Sequence, residues 1–138
     1  MPTIHDQRRL AAQSGQRKAR TVLVVEDHDS LRETTVAILR LEGFSTIAAA
    51  DGEAALDAIN EHRIDLVLLD LSLPRLDGPG VLEAIEDPPP VVVISGFRGV
   101  TEKAIRARFG SSVVDCLHKP VSPRRLVEAT TAALAIAS

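Results

Sequence analysis

Three unbroken apolar runs constrain this chain most: VLVV at residues 22–25, LVLL at 66–69 and VVVI at 91–94. A strand with one wet face alternates apolar and polar residues, whereas these runs are apolar at every position. They belong to strands covered on both faces, the condition of a parallel sheet with helices above and below. The intervening residues supply those helices. Residues 30–41 carry Leu31, Ile38 and Leu39 at helical spacing, and residues 52–63 carry Ala55, Leu56 and Ile59. A weaker strand is expected at 44–50 and a last one at 113–117, with short helices at 81–86 and 100–109. Gly110 suits the position just past a helix end, and Ser122-Pro123 suits an N-cap followed by the first helical residue.

Five strands alternating with five helices make an α/β chain. Right-handed crossovers favour the flavodoxin-like, doubly wound order 2-1-3-4-5, a three-layer αβα sandwich. A chain of 138 residues has room for one such core. The folded unit is expected at residues 21–138. Residues 1–20 are polar and hold five basic residues against Asp6 alone, and they read as a flexible tail. That leaves 11 basic and 18 acidic residues to the remainder, a balance of −7 there. Such acidity suits cations and basic partners and argues against a nucleic-acid surface. The absence of Trp and Tyr removes the usual base-stacking platforms as well. One cysteine allows no internal disulfide, and no apolar run has the length of a signal peptide or membrane span, so the expected location is the cytoplasm, with no membrane contact.

The unusual polar residues fall at the carboxyl ends of the expected strands. Glu26 and Asp27 follow the first, Asp70 the third, Ser95 and Gly96 the fourth, and His118, Lys119 and Pro120 the fifth. Ligands of open α/β sheets bind at this edge, where strand order reverses. Three carboxylates in one small cleft repel each other, and a hard divalent cation relieves that repulsion. Magnesium fits best, because it accepts oxygen ligands and uses few carboxylates while keeping waters. Lys119 offers an ammonium, Ser95 a hydroxyl and Gly96 an unobstructed N–H to phosphoryl oxygens. Together these groups are the parts of a phosphoryl-transfer site that forms an aspartyl-phosphate. Each residue alone has an ordinary explanation as a helix cap or loop residue. His28 and His118, beside the cleft, read as exposed loop residues.

The stretches VVEDHDSLR (24–32), DLVLLDLSLPRLDG (65–78), VVISG (92–96) and HKP (118–120) resemble a response-regulator receiver domain, over essentially all of residues 21–138. The resemblance implies that Asp70 is the phosphoacceptor. It implies that Asp27, Asp70 and the main-chain carbonyl of Ser72 bind Mg2+ directly, with Glu26 acting through water. Lys119 would meet the phosphoryl group, Ser95 would be the switch hydroxyl, and the Lys119–Pro120 bond would be cis. Pro74 would shape the loop after Asp70, while Ser72 and Phe97 would tune the access of water. The implied phosphodonor is a histidine kinase or histidine phosphotransfer protein, and the output an unknown downstream protein.

Two features depart from the family pattern. Cys116 stands where an aromatic switch residue is usual, and the stretch from Gly110 to Lys119 is about two residues longer than usual. The length leaves no room for a DNA-binding domain in this chain, so a stand-alone relay protein or an excised domain is expected. The domain would catalyse only its own phosphorylation and dephosphorylation. Two alternatives compete. An aspartyl phosphohydrolase would need a second carboxylate two residues after Asp70, where Ser72 stands. A phosphorylation-independent interaction module would have no need of the acidic pair, Asp70 and Lys119, all of which are present.

Overall fold

The computed structural model describes residues 19–70, 87–96, 103, 106, 107 and 110–136. Five strands form one sheet: β1 (Thr21–Val25), β2 (Ser45–Ala49), β3 (Leu66–Asp70), β4 (Val91–Ser95) and β5 (Val113–His118). All pairings are parallel and the order is β2-β1-β3-β4-β5, the expected topology. Three helices are described, α1 (Asp29–Leu41), α2 (Gly52–Glu61) and α3 (Pro123–Ile136). The helix expected at 81–86 lies outside the described residues. Within the one expected at 100–109, Lys103, Arg106 and Ala107 are helical. The basic tail, apart from Ala19 and Arg20, is also outside. Among the described residues no helix is long and apolar enough to cross a membrane.

The three central strands β1, β3 and β4 are buried on both faces, as their unbroken apolar runs require, whereas the edge strand β2 is partly exposed. One face packs Leu23, Val25, Val67, Leu69, Val91 and Val93 against Ala55 and Ala58 of α2. The other packs Val22, Val24, Leu66, Leu68 and Val92 against Leu39 of α1 and Leu126, Ala129, Ala133 and Leu134 of α3. At the amino edge, Thr21 and Asp65 lock the β1–β3 register. The Asp65 N–H donates to Thr21 O at 2.9 Å, and the Thr21 N–H donates to the Asp65 carboxylate at 2.8 Å. With Val25 opposite Leu69, the next residues out of this register are Glu26 and Asp70. A lock at one end of the sheet thus brings two carboxyls together at the other.

Helix α1 ends in a Schellman turn. The Phe44 N–H donates to Leu39 O, the Gly43 N–H donates to Arg40 O, and Gly43 takes φ +93°. Phe44 then folds onto the same cluster as Leu39. Ser122 caps α3 as expected, its hydroxyl accepting the Arg125 N–H at 3.1 Å. Leu31 shares the helical spacing of Leu39 but is 44% exposed, because it sits in the first turn of α1, at the end of the helix remote from the Leu39 contact.

The approach to Lys119 carries two irregularities. Residues Gly110–Ser112 make a 3-10 turn. In β5, Val91 pairs with Val113 while Val92 pairs with Asp115, so Val114 is an extra residue in the strand, a β-bulge. The bulge resets the side-chain alternation. Val113 and Cys116, three apart, both face the α2 side, while Val114 and Leu117 face the other.

Leu39→Ala, at a fully buried site, should cost about 2–5 kcal/mol in denaturant unfolding. Leu41→Ala, two residues on and 87% exposed, should cost less than about 0.5 kcal/mol. Equal losses would contradict the described face of α1.

Candidate functional site

Each strand of a parallel sheet delivers its carboxyl end to the same edge, and the buried polar residues gather there. Asp70 closes β3 at 2% exposure, Ser95 closes β4 at 2%, and Glu26 follows β1 at 6%. The Lys119 N–H donates to Ser95 O at 2.9 Å, which extends the β4–β5 ladder past His118 and places the lysine beside the cleft. Strand alternation puts Glu26, Asp70 and Lys119 on the α1–α3 side of the sheet. The Lys119 ammonium forms an ion pair with the Asp70 carboxylate and lies 3.5 Å from Glu26 Oε1. The Lys119–Pro120 bond is cis, as the resemblance implies.

The electrostatics follow from burial. Desolvation pushes the Glu26 carboxyl above its ordinary range, and a hydrogen bond and charge repulsion from Asp70 push it further. The His28 N–H and the Lys119 ammonium oppose the shift and are outweighed. For Lys119, burial disfavours the ammonium, yet Asp70 and then Glu26 more than compensate and hold it above its usual value. One ammonium therefore serves two buried carboxyls, and the second binds its proton more tightly than an ordinary carboxyl does. Such an oxygen-only pair, short of positive charge, fits a hard divalent cation.

The expected residues are not all gathered. Glu26, Asp70 and Lys119 meet. Asp27 is half-exposed on the loop that follows, and among the described residues no three acidic, His or Cys side chains are grouped closely enough to hold a metal. A three-carboxylate cage is not what magnesium needs, since one or two carboxylates and water complete its shell. Ser72, Pro74 and Phe97 lie outside the described residues. Gly96 is exposed next to Ser95, and His28 and His118 are exposed as expected. Ser95 falls by alternation on the α2 side of the sheet, the side to which the bulge turns Cys116.

Sequence reasoning missed Arg32. Its guanidinium donates to Glu26 O at 2.9 Å and to Asp29 Oδ1 at 2.6 Å, tying the acidic loop to the first turn of α1. A basic residue in the first turn of a helix, where the macrodipole disfavours it, was the available signal.

Residues 22–131 match the family model described as the response regulator receiver domain. The chain belongs to that family. The receiver is 36% identical over 107 residues to the probable transcriptional regulator ycf27 of Cyanidium caldarium, covering 76% of this chain and 42% of that protein. It is 36% identical over 115 residues to the DNA-binding response regulator MtrA of Mycolicibacterium smegmatis, covering 82% of this chain and 50% of that protein. Among solved structures, the receiver domain of NtrX from Brucella abortus matches with a TM-score of 0.72 and 39% identity, over 83% of this chain and 98% of that one.

These relatives correct one expectation. The receiver was expected to act without a DNA-binding domain. It spans only 42 to 50% of the length of these curated relatives, one of which is DNA-binding by name. The acidity and size of the receiver segment describe that segment and carry no weight against DNA binding by the protein as a whole.

The Glu26 shift predicts a pH dependence for the metal-free receiver. A carboxyl whose folded pKa is raised contributes stability that is full below the unfolded value, near 4.5, and is lost as pH rises through the folded value. Glu26→Gln removes that loss. It should raise the thermal midpoint in chelator at mildly alkaline pH, with the gain vanishing as pH falls towards 4.5. A Glu26→Gln protein less stable than wild type at alkaline pH would contradict this account.

Proposed function

We propose that Asp70 accepts a phosphoryl group from a phosphohistidine donor, with Mg2+ as cofactor, and that the resulting aspartyl-phosphate switches a partner-binding surface. The observation that carries this reading is the buried Asp70 carboxylate paired with Lys119 at the carboxyl edge of the sheet. A nucleophile must be ionised, and at 2% exposure a carboxylate stays ionised only beside a cation.

In the transfer an Asp70 oxygen forms a bond to phosphorus as the P–N bond to the donor imidazole breaks, and the imidazole leaves with the bonding pair. Lys119 shifts its hydrogen bonds from the Asp70 carboxylate to the phosphoryl oxygens, and Ser95 and the Gly96 N–H supply further donors. Glu26, Asp27, Asp70 and the Ser72 carbonyl would hold Mg2+. Bound there, the cation neutralises charge on the entering phosphoryl group. Water then returns the domain to its starting state by attack on the acyl phosphate. The domain is thus a catalyst of its own modification and release. Residues 21–138 form the unit that carries this chemistry, with 1–20 outside it.

Incubation with Mg2+ and acetyl phosphate, followed by intact mass measurement, should show one labile phosphoryl adduct, absent in Asp70→Asn and without Mg2+. Lys119→Ala should lower its yield at least about tenfold, as expected when a charge-stabilising group at the reacting centre is removed. An adduct retained in Asp70→Asn would overturn the assignment.

A further inference from the structure

The residues after β1 have a supporting framework of their own. The last ladder bond of this strand runs from the Glu26 N–H to Ala49 O at 3.0 Å. Beyond it the chain leaves β1 and reaches α1 at Asp29. Arg32 reaches back from α1 to the carbonyls of Glu26 and Asp27. Its Nη1 donates to Glu26 O at 2.9 Å and lies 3.5 Å from Asp27 O, and its Nη2 donates to Asp29 Oδ1 at 2.6 Å. The Arg32 main-chain N–H donates to His28 O at 2.9 Å. Glu26 Oε2 in turn accepts the His28 N–H at 3.3 Å. Arg32, its side chain 19% exposed, therefore ties the Glu26 and Asp27 carbonyls and the Asp29 carboxylate through its guanidinium and the His28 carbonyl through its main chain.

We infer that Arg32 is a positioning residue for divalent-cation binding, fixing the backbone from which the Glu26 and Asp27 carboxylates project. The inference rests on the reading of the acidic cleft as a Mg2+ site. Two physical arguments favour positioning over a general electrostatic role. A guanidinium in the first turn of a helix opposes the macrodipole, so its place there needs a compensating gain. A cation near a Mg2+ site also repels the metal. Arg32 helps binding only if the geometry it imposes outweighs that repulsion. Its planar fork can serve the Glu26 carbonyl and the Asp29 carboxylate at once, which a lysine ammonium cannot do across the same span.

The two roles predict opposite signs. If Arg32 acts only as a nearby charge, Arg32→Ala strengthens Mg2+ binding. If it positions the loop, the same change weakens it by about ten- to a hundredfold, the range for supporting partners of metal ligands, with Arg32→Lys in between. The measurement is calorimetric titration of the full chain with Mg2+ alone, beside thermal unfolding in chelator to verify that each variant folds. Affinity in Arg32→Ala equal to or tighter than wild type overturns the inference while leaving the Mg2+ reading intact. Absence of Mg2+ binding in the wild type overturns both. Should Arg32→Ala fail to fold, Arg32→Lys decides, and wild-type affinity in that variant overturns the inference.

Discussion

A carboxylate that must be both buried and ionised sets the terms for the rest of this structure. Asp70 ends a strand buried at every position, where an isolated charge would cost several kcal/mol. Lys119 makes the position tolerable, and it can do so only if β5 runs parallel to β4 and ends level with β3. The sheet order, the register set at Thr21 and Asp65, and the ladder bond from Lys119 to Ser95 all serve that meeting. The compensation is incomplete, because Glu26 crowds the same carboxylate and its own ionisation is disfavoured by burial and by Asp70. The edge of the sheet is thus poorer in positive charge than in carboxyls. This imbalance suits the edge to a hard cation.

Much of the fold was legible because burial on both faces leaves no alternation in the strands. Unbroken apolar runs of four residues admit few architectures once helical stretches separate them. The site was legible for a related reason: polar residues directly after buried strands must lie at one edge, so Glu26, Asp70 and Lys119 could be grouped from sequence. What sequence could not supply was the distance between neighbours on the same loop. Glu26 and Asp27 are adjacent in sequence, yet one is turned into the cleft and the other is half-exposed. Arg32 escaped notice because its acceptors are mainly backbone carbonyls, which have no sequence signature. Leu31 fitted the helical spacing but lies in the first turn, where periodicity does not ensure a partner.

The expectation about DNA binding failed at a different level. Net charge and aromatic content were read as properties of a protein, whereas they describe a segment that matches half or less of each relative. An acidic receiver is compatible with a DNA-binding unit in the same protein, because charge acts over about a Debye length and each folded unit presents its own surface. The same arithmetic stays valid within the receiver, where the excess of carboxyls is in part the cleft itself.

The two departures from the family pattern, Cys116 and the longer approach to Lys119, meet in β5. The bulge at Val114 lies upstream of Cys116, so residues 115–118 stay paired with 92–95. A bulge at this point leaves Lys119 beside Asp70. Had it fallen after Cys116, the lysine would have moved past the edge of the sheet and left the carboxylate buried without its cation. The same bulge turns Cys116 to the α2 side, the side on which Ser95 falls. The pairing that sets Lys119 beside Asp70 is therefore kept despite the irregularity upstream in β5.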